Sequence, residues 1–457
     1  MKKIIILFAV ATLLFLVACE DRSDLTAPVA PSTGTADFSR FVTIGNSLTA
    51  AYQNGSLYES SQVYSIGKII ADQVHTSFEQ PIISDPGIPG RLELHSLNPL
   101  TILPNGGLGE VKNAALQKPY NNLGVPGAIL FDLVDTTDFA PKSVARGNPY
   151  FQIVLRNQAL GKSVIAQALN LKPTFVTLWI GNNDVLGYAT SGGTKGTDAT
   201  GKLPTDPNVF AFLYNNVATA LADPTDTRKV VAANIPDVQN VPFFTTIGPK
   251  IGAALIDVMA ANPNVVGLFY QKAGEGVASS YATPEDLIAC KNILLTLVSS
   301  PYAGLVGKPT GKFYRDNGID PAPYGIDTTQ AFGLHPQNPW PNAFTLDADE
   351  IALVQKRTAE FNAVIKAAVD AHPKSWALVD INSFFAQMAA KGMVVDGIKF
   401  TTDYITGNTF GLDGVHPTTR GYGVITNEFI NVINTKFNAS IPKINVSSLP
   451  ASIPLNQ

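Results

Sequence analysis

Ser47 and His416 are the two side chains of this 457-residue sequence whose types and settings point to nucleophilic chemistry. Ser47 follows Thr43-Ile44-Gly45-Asn46, where a short β-branched apolar run ends at a glycine. A hydroxyl at the C-terminal end of a strand stands where open α/β sheets collect their ligands. It is a weak nucleophile until a base takes its proton and donors receive the developing oxyanion. Leu412-Asp413-Gly414-Val415-His416-Pro417 supplies a base, because imidazole accepts a proton near neutral pH. Asp413, three residues earlier across a glycine turn, can reach the far ring nitrogen, fix its tautomer and stabilise the imidazolium. Pro417 disfavours a helical conformation at His416, which predicts an ordered loop.

Two further segments offer oxyanion donors. Thr177-Leu178-Trp179-Ile180-Gly181-Asn182-Asn183-Asp184 runs from an apolar strand into amides, and the Asn183 side-chain N–H is a candidate donor. In Asn122-Leu123-Gly124-Val125-Pro126-Gly127, the missing side chain of Gly127 would let its backbone N–H approach the same point. Each alone is also readable as a simple turn.

Several other candidates read as structural. Asp72 and His75 repeat the Asp-x-x-His spacing inside a helical pattern, without the glycine or the loop, and are expected to face solvent. His95, His335 and His372 show no metal-ligand spacing, and His335 reads as a loop histidine. Cys290 lies in 286–295, which predicts an amphipathic helix carrying a buried, unreactive thiol. The 196–203 segment approaches a phosphate-binding loop but has Leu203 where Ser or Thr would be needed, so a flexible polar loop is expected. No metal site and no organic cofactor is expected.

The elements that must position these residues alternate. Strand-like runs lie at 41–44, 175–180, 230–233 and 377–381, and helical patterns at 61–74, 153–169, 209–221, 348–371 and 421–437. That alternation predicts an α/β fold, a three-layer α/β/α sandwich on a mostly parallel sheet. Residues 80–120 and 240–345 break it and are expected to be large insertions acting as lids, substrate walls or surface cover. The main domain is expected over 38–438, followed by an irregular tail at 439–457.

The formal charge of −4 and the absence of a basic run after the start argue against nucleic acid as a partner. Lys2 and Lys3 precede an apolar stretch from Ile4 to Val17, the layout of a secretory leader over 1–18. Leu16-Val17-Ala18-Cys19 looks like a bacterial lipobox, with Cys19 lipidated and 19–37 a flexible tether to the membrane. With the only other cysteine at Cys290, the mature chain would have no internal disulfide.

In chain order, the blocks around Ser47, Gly127, Asn183 and Asp413/His416 resemble those of the GDSL family of serine esterases and lipases, also called SGNH hydrolases. Ile235-Pro236-Asp237-Val238 is similar to a stretch common in that family. The resemblance implies a flavodoxin-like fold, Ser47 as nucleophile, His416 as base, Asp413 as orienter, and an oxyanion hole from Ser47, Gly127 and Asn183. Asn46 departs from the name-giving Asp, which puts local hydrogen bonding in question, and the long block separations imply insertions. The expected activity is carboxylic ester hydrolysis of lipase or esterase type by a lipid-anchored protein of the cell envelope, expected at the outer membrane, with display on the cell surface as a further option. Its substrate would be an acyl lipid or an acylated glycan; the aromatic content of 240–345 favours an apolar acyl pocket. The alternatives are a polysaccharide O-acetylesterase and a non-catalytic surface lipoprotein that binds glycans or lipids on the same fold.

Overall fold

Five short segments meet in one sheet: β1 (Phe41–Gly45), β2 (Asn122–Gly124), β3 (Phe175–Trp179), β4 (Lys229–Ala233) and β5 (Trp376–Val379). The structure is a computed structural model that describes residues 30–194, 197–198, 201–202, 204–451 and 453–455. The strands are all parallel, in the order β2-β1-β3-β4-β5. Thr43 of β1 stands beside Asn122 on one side and Thr177 on the other. Every residue of β1, β2 and β3 is buried. Successive side chains point to opposite faces, so both faces are covered, and the strands read as apolar runs rather than alternating patterns.

The helices that matter here are α1 (Ser47–Ala50), α2 (Ile66–Gln73), α3 (Val164–Asn170), α4 (Asn183–Thr190), α5 (Pro207–Leu221), α6 (Ile247–Ala261), α7 (Ala348–Asp370), α8 (Ile381–Lys391) and α9 (Thr419–Phe437). α9 packs on α2 and β5, and α7 packs on α4, α5, β4 and β5. The limits of α9 follow from local chemistry. The Thr418 hydroxyl accepts from Gly421 N–H at 3.0 Å, and Asn438 ends the helix in the left-handed region at φ 53°. Its core side carries Val424, Ile425, Phe429, Ile430 and Ile433, each contributing about 1.5–3 kcal/mol when fully buried.

Some expectations fail for identifiable reasons. The run 153–169 is not one helix. A first helix, Tyr150–Leu155, ends where Arg156 turns to φ 60°, and Ser163 caps α3 afresh. Arg156 is held there by its guanidinium, 4.0 Å from the Tyr120 ring centroid, and by the carbonyls of Leu116 and Lys118. The 61–74 pattern likewise divides, because Ser65 accepts from Lys68 N–H and starts α2. Cys290 is not within a helix over 286–295: it terminates Pro284–Ala289 at φ 48°, and Ile293–Leu295 pairs antiparallel with Thr345–Asp347.

Residues 80–120 contain an antiparallel hairpin, Leu92–Leu97 with Leu100–Pro104. Within 240–345 lies a second hydrophobic cluster, including Ile251, Leu268, Phe313, Phe332, Trp340 and Phe344, separate from the core around the sheet. Its aromatic side chains therefore fill their own small core. Thr35 N–H and Ser440 N–H donate to the Phe437 and Ser32 carbonyls, so 32–35 already lie against the end of α9, within the stretch expected to be tether. The leader and Cys19 lie outside the described residues. Of the 196–203 loop, 197–198 and 201–202 are described as a short antiparallel pair, and the remainder, Leu203 included, lies outside.

Candidate active site

The strand order dictates where a site can form. From β1 the chain moves to β2 on one side and then crosses to β3 on the other, so the connections diverge at the carboxyl ends of β1 and β3. Open α/β sheets bind ligands at such a point. Ser47 comes two residues after β1, Gly127 three after β2 and Asn183 four after β3, so all three leave that edge. Asp413 and His416 arrive on the loop before α9.

Ser47, His416 and Asp413 form one hydrogen-bonded line. His416 Nε2 lies 2.8 Å from Ser47 Oγ, although the two residues are 369 positions apart. His416 Nδ1 lies 3.2 Å from Asp413 Oδ2. An ionised carboxylate only accepts, so Nδ1 carries the proton and Nε2 presents its lone pair to the serine hydroxyl. Burial alone would raise the Asp413 carboxyl, but the adjacent His416 and N–H donors outweigh it and hold it below the usual range. Those donors are Val415 N–H at 2.9 Å and His416 N–H at 2.8 Å, and Gly55 N–H also donates to the carboxylate, at 2.7 Å. Gly414, at φ 70°, makes the turn, with Leu297 and Phe243 so close that a Cβ would strike them.

The proposed oxyanion donors are brought to the same edge, with one difference. Ser47 is the first residue of α1, capped by Asn46, whose Oδ1 accepts from Leu48 N–H at 3.1 Å and whose Nδ2 donates to Asn182 Oδ1 at 3.2 Å. An ionised Asp at position 46 could not make that second bond, so the Asn serves the local network directly. Among the described residues, neither Ser47 N–H nor Gly127 N–H donates to a protein acceptor. Gly127 sits at φ 77°, and a Cβ there would lie 2.8 Å from Asn148 Nδ2. Asn183 already donates one N–H to the Ala128 carbonyl at 2.8 Å, leaving its second for a ligand. That bond fastens the residue after Gly127 to the start of α4.

Sequence reasoning missed the groups that hold this loop. Asp184 is fully buried and accepts from Leu130 N–H at 2.9 Å and from the Thr205 hydroxyl at 2.8 Å. Asp132 accepts from Ile129 N–H at 2.9 Å and is paired with buried Lys142 at 2.7 Å. Carbonyl 128 and N–H groups 129 and 130 are thus each fixed by a side chain. Behind the histidine, Asn54 accepts from Leu412 N–H and donates to the Tyr58 hydroxyl, both at 2.8 Å. The Tyr52 ring lies 4.7 Å from the His416 ring, its own hydroxyl pushed up by burial and by the Asp413 charge. A carboxylate directly after Asn183 was the available signal for Asp184; Asn54 gave none.

A cleft opens at Ser47, lined on its apolar side by residues including Leu48, Leu186, Val238, Phe385 and Phe410. Asn183 and His416 also line it; Gly127 does not. It contains about 620 Å³ of empty space, of which about 50 Å³ is open to the centre of a water molecule. A larger groove of about 610 Å³ by the latter measure lies on the Asp413 side, between the 92–104 hairpin and residues 297–301. It does not reach Ser47. The aromatic cluster of 240–345 contributes no ring to the cleft, contrary to the expectation drawn from its composition.

Comparison with protein-family models, curated proteins and solved structures returned no match. The remaining candidates stay apart from the cleft. Asp72 and His75 are exposed, and His335 Nδ1 accepts from Gln337 N–H in its own loop. The Cys290 thiol is pushed up to about 11 by burial, which leaves it a poor nucleophile. Among the described residues, no three His, Cys, Asp or Glu side chains converge so as to hold a metal ion.

Proposed function

We propose that this chain is a serine hydrolase of the GDSL, or SGNH, type that cleaves carboxylic esters through an acyl-enzyme on Ser47. The observation that carries the reading is the continuous line from Asp413 through His416 to Ser47 Oγ, with a cleft opening on the serine. His416 Nε2 takes the Ser47 proton as Oγ attacks the ester carbonyl carbon. The tetrahedral oxyanion is received by the Ser47 and Gly127 backbone N–H groups and by the second N–H of Asn183. His416 then protonates the departing alcohol. Water, deprotonated by the same nitrogen, attacks the acyl-enzyme and releases the acid. Each oxyanion donor contributes on the order of 10²–10³ in rate.

The parallel sheet in its doubly wound order is the architecture expected of that family, with 80–120 and 240–345 as its insertions. In this reading Cys19 carries the lipid that anchors the protein to the envelope, and no cofactor takes part. Ser47→Ala, which removes one oxygen from a side chain only 7 % exposed, should abolish hydrolysis of a p-nitrophenyl ester panel and leave the thermal unfolding midpoint nearly unchanged. Undiminished turnover by that variant would exclude Ser47 as the nucleophile.

A further inference from the structure

The cleft at Ser47 is narrow enough to limit what it accepts. A water molecule needs about 10–15 Å³ of the space open to its centre, so the available 50 Å³ corresponds to roughly three to five waters. The walls come from separate parts of the fold: Leu186 on α4, Val238 after β4, Phe385 on α8, and Phe410 before the histidine loop. Phe385 and Phe410 are nearly fully buried and stack at 5.5 Å between ring centroids, so they cannot swing aside without disturbing the core.

A second observation points the same way. Asp237 also lines the cleft. One of its carboxylate oxygens accepts from Gln239 N–H at 2.9 Å, and burial pushes the carboxyl up. A hydrocarbon chain filling the cleft would strip solvent from this half-buried group and supply no donor, which is unfavourable for a carboxylate. A short acyl group leaves this carboxylate open to solvent.

Resting on the serine-esterase reading, we propose that the natural substrate is an ester of a short carboxylic acid, from acetyl to butyryl, whose acyl group occupies this cleft. The acyl–oxygen bond to the alcohol breaks as the acyl–Oγ bond to Ser47 forms. The serine proton passes through His416 to the alcohol, and water regenerates Ser47 and releases the short acid. The alcohol portion stays outside the cleft.

The test is a chain-length series on the full protein, using p-nitrophenyl acetate, butyrate, hexanoate, octanoate and decanoate, with Leu186→Ala run in parallel. The wild-type kcat/KM should be highest at acetate or butyrate and fall by roughly tenfold or more at hexanoate and beyond, a typical discrimination at a pocket's size limit. Leu186→Ala should move the maximum toward hexanoate. A wild-type maximum at octanoate or decanoate, with Ser47 still essential, would overturn the short-acyl proposal and leave the esterase reading standing. No hydrolysis of any ester, together with an unreactive Ser47, would overturn both.

Discussion

At the scale of single residues, the proposed chemistry depends on how firmly the reacting groups are held before substrate arrives. Asp413 is fixed by three backbone N–H donors, so His416 cannot rotate freely, and its Nε2 faces Ser47 Oγ. On the side of the proposed oxyanion donors the comparable residue is Asp184, which ties Leu130 N–H to the Thr205 hydroxyl. Asp184→Ala should let the Gly127 loop drift and lower kcat by roughly 10–100-fold, with KM changed far less, because small misplacements of catalytic donors are costly. Asp184→Asn can still accept from Leu130 and donate to the Thr205 oxygen, so it should recover most of the rate. Steady-state kinetics on both variants decides this. An equal loss in the two, or a loss confined to KM, would mean that Asp184 does not position the loop.

At the scale of elements, the N-terminus of α7 carries a pH-dependent capping box. Asp347 accepts from the N–H groups of Asp349 and Glu350, and Glu350 accepts in return from Asp347 N–H at 2.9 Å. Burial pushes the Glu350 carboxyl up to about 7, the Asp347 and Asp349 charges add to this, and the Asp347 N–H bond and Lys272 oppose it. The folded state therefore holds the proton more tightly than the unfolded chain, whose glutamate titrates near 4.5. This stabilising contribution is fully present below pH 4.5 and is lost as the pH rises through about 7. Glu350→Gln keeps a capping acceptor and removes the titration. Urea unfolding between those pH values should show a declining midpoint in the wild type and a flatter one in the variant; parallel declines would rule out Glu350 as the cause.

Over the whole molecule, the legible parts were those whose physics is local. Four of the five sheet strands announced themselves as apolar runs, and α9 as a 3.6-residue pattern over 421–437. β2 did not, because Asn122 and Gly124 break the apolar run, and the strand is defined instead by its neighbours, with Asn122 Nδ2 donating to the Thr49 carbonyl at 3.0 Å. The split of 153–169 depends on Arg156 meeting the Tyr120 ring, a contact between segments that periodicity cannot register. The same holds for the site. Ser47, His416 and Asp413 stand in distinctive local settings, whereas Asp184 and Asn54 act through partners distant in sequence, Leu130 and Leu412. The aromatic residues of 240–345 misled because composition does not say which core a ring will join. Under the proposed function the distant Ser47 and His416 blocks act as one nucleophile–base pair. A fluorophosphonate probe followed by peptide mapping tests it most directly. A single adduct should form on Ser47, absent in Ser47→Ala and formed far more slowly in His416→Gln; a labelled residue elsewhere, or a labelling rate indifferent to His416, would rule that pair out.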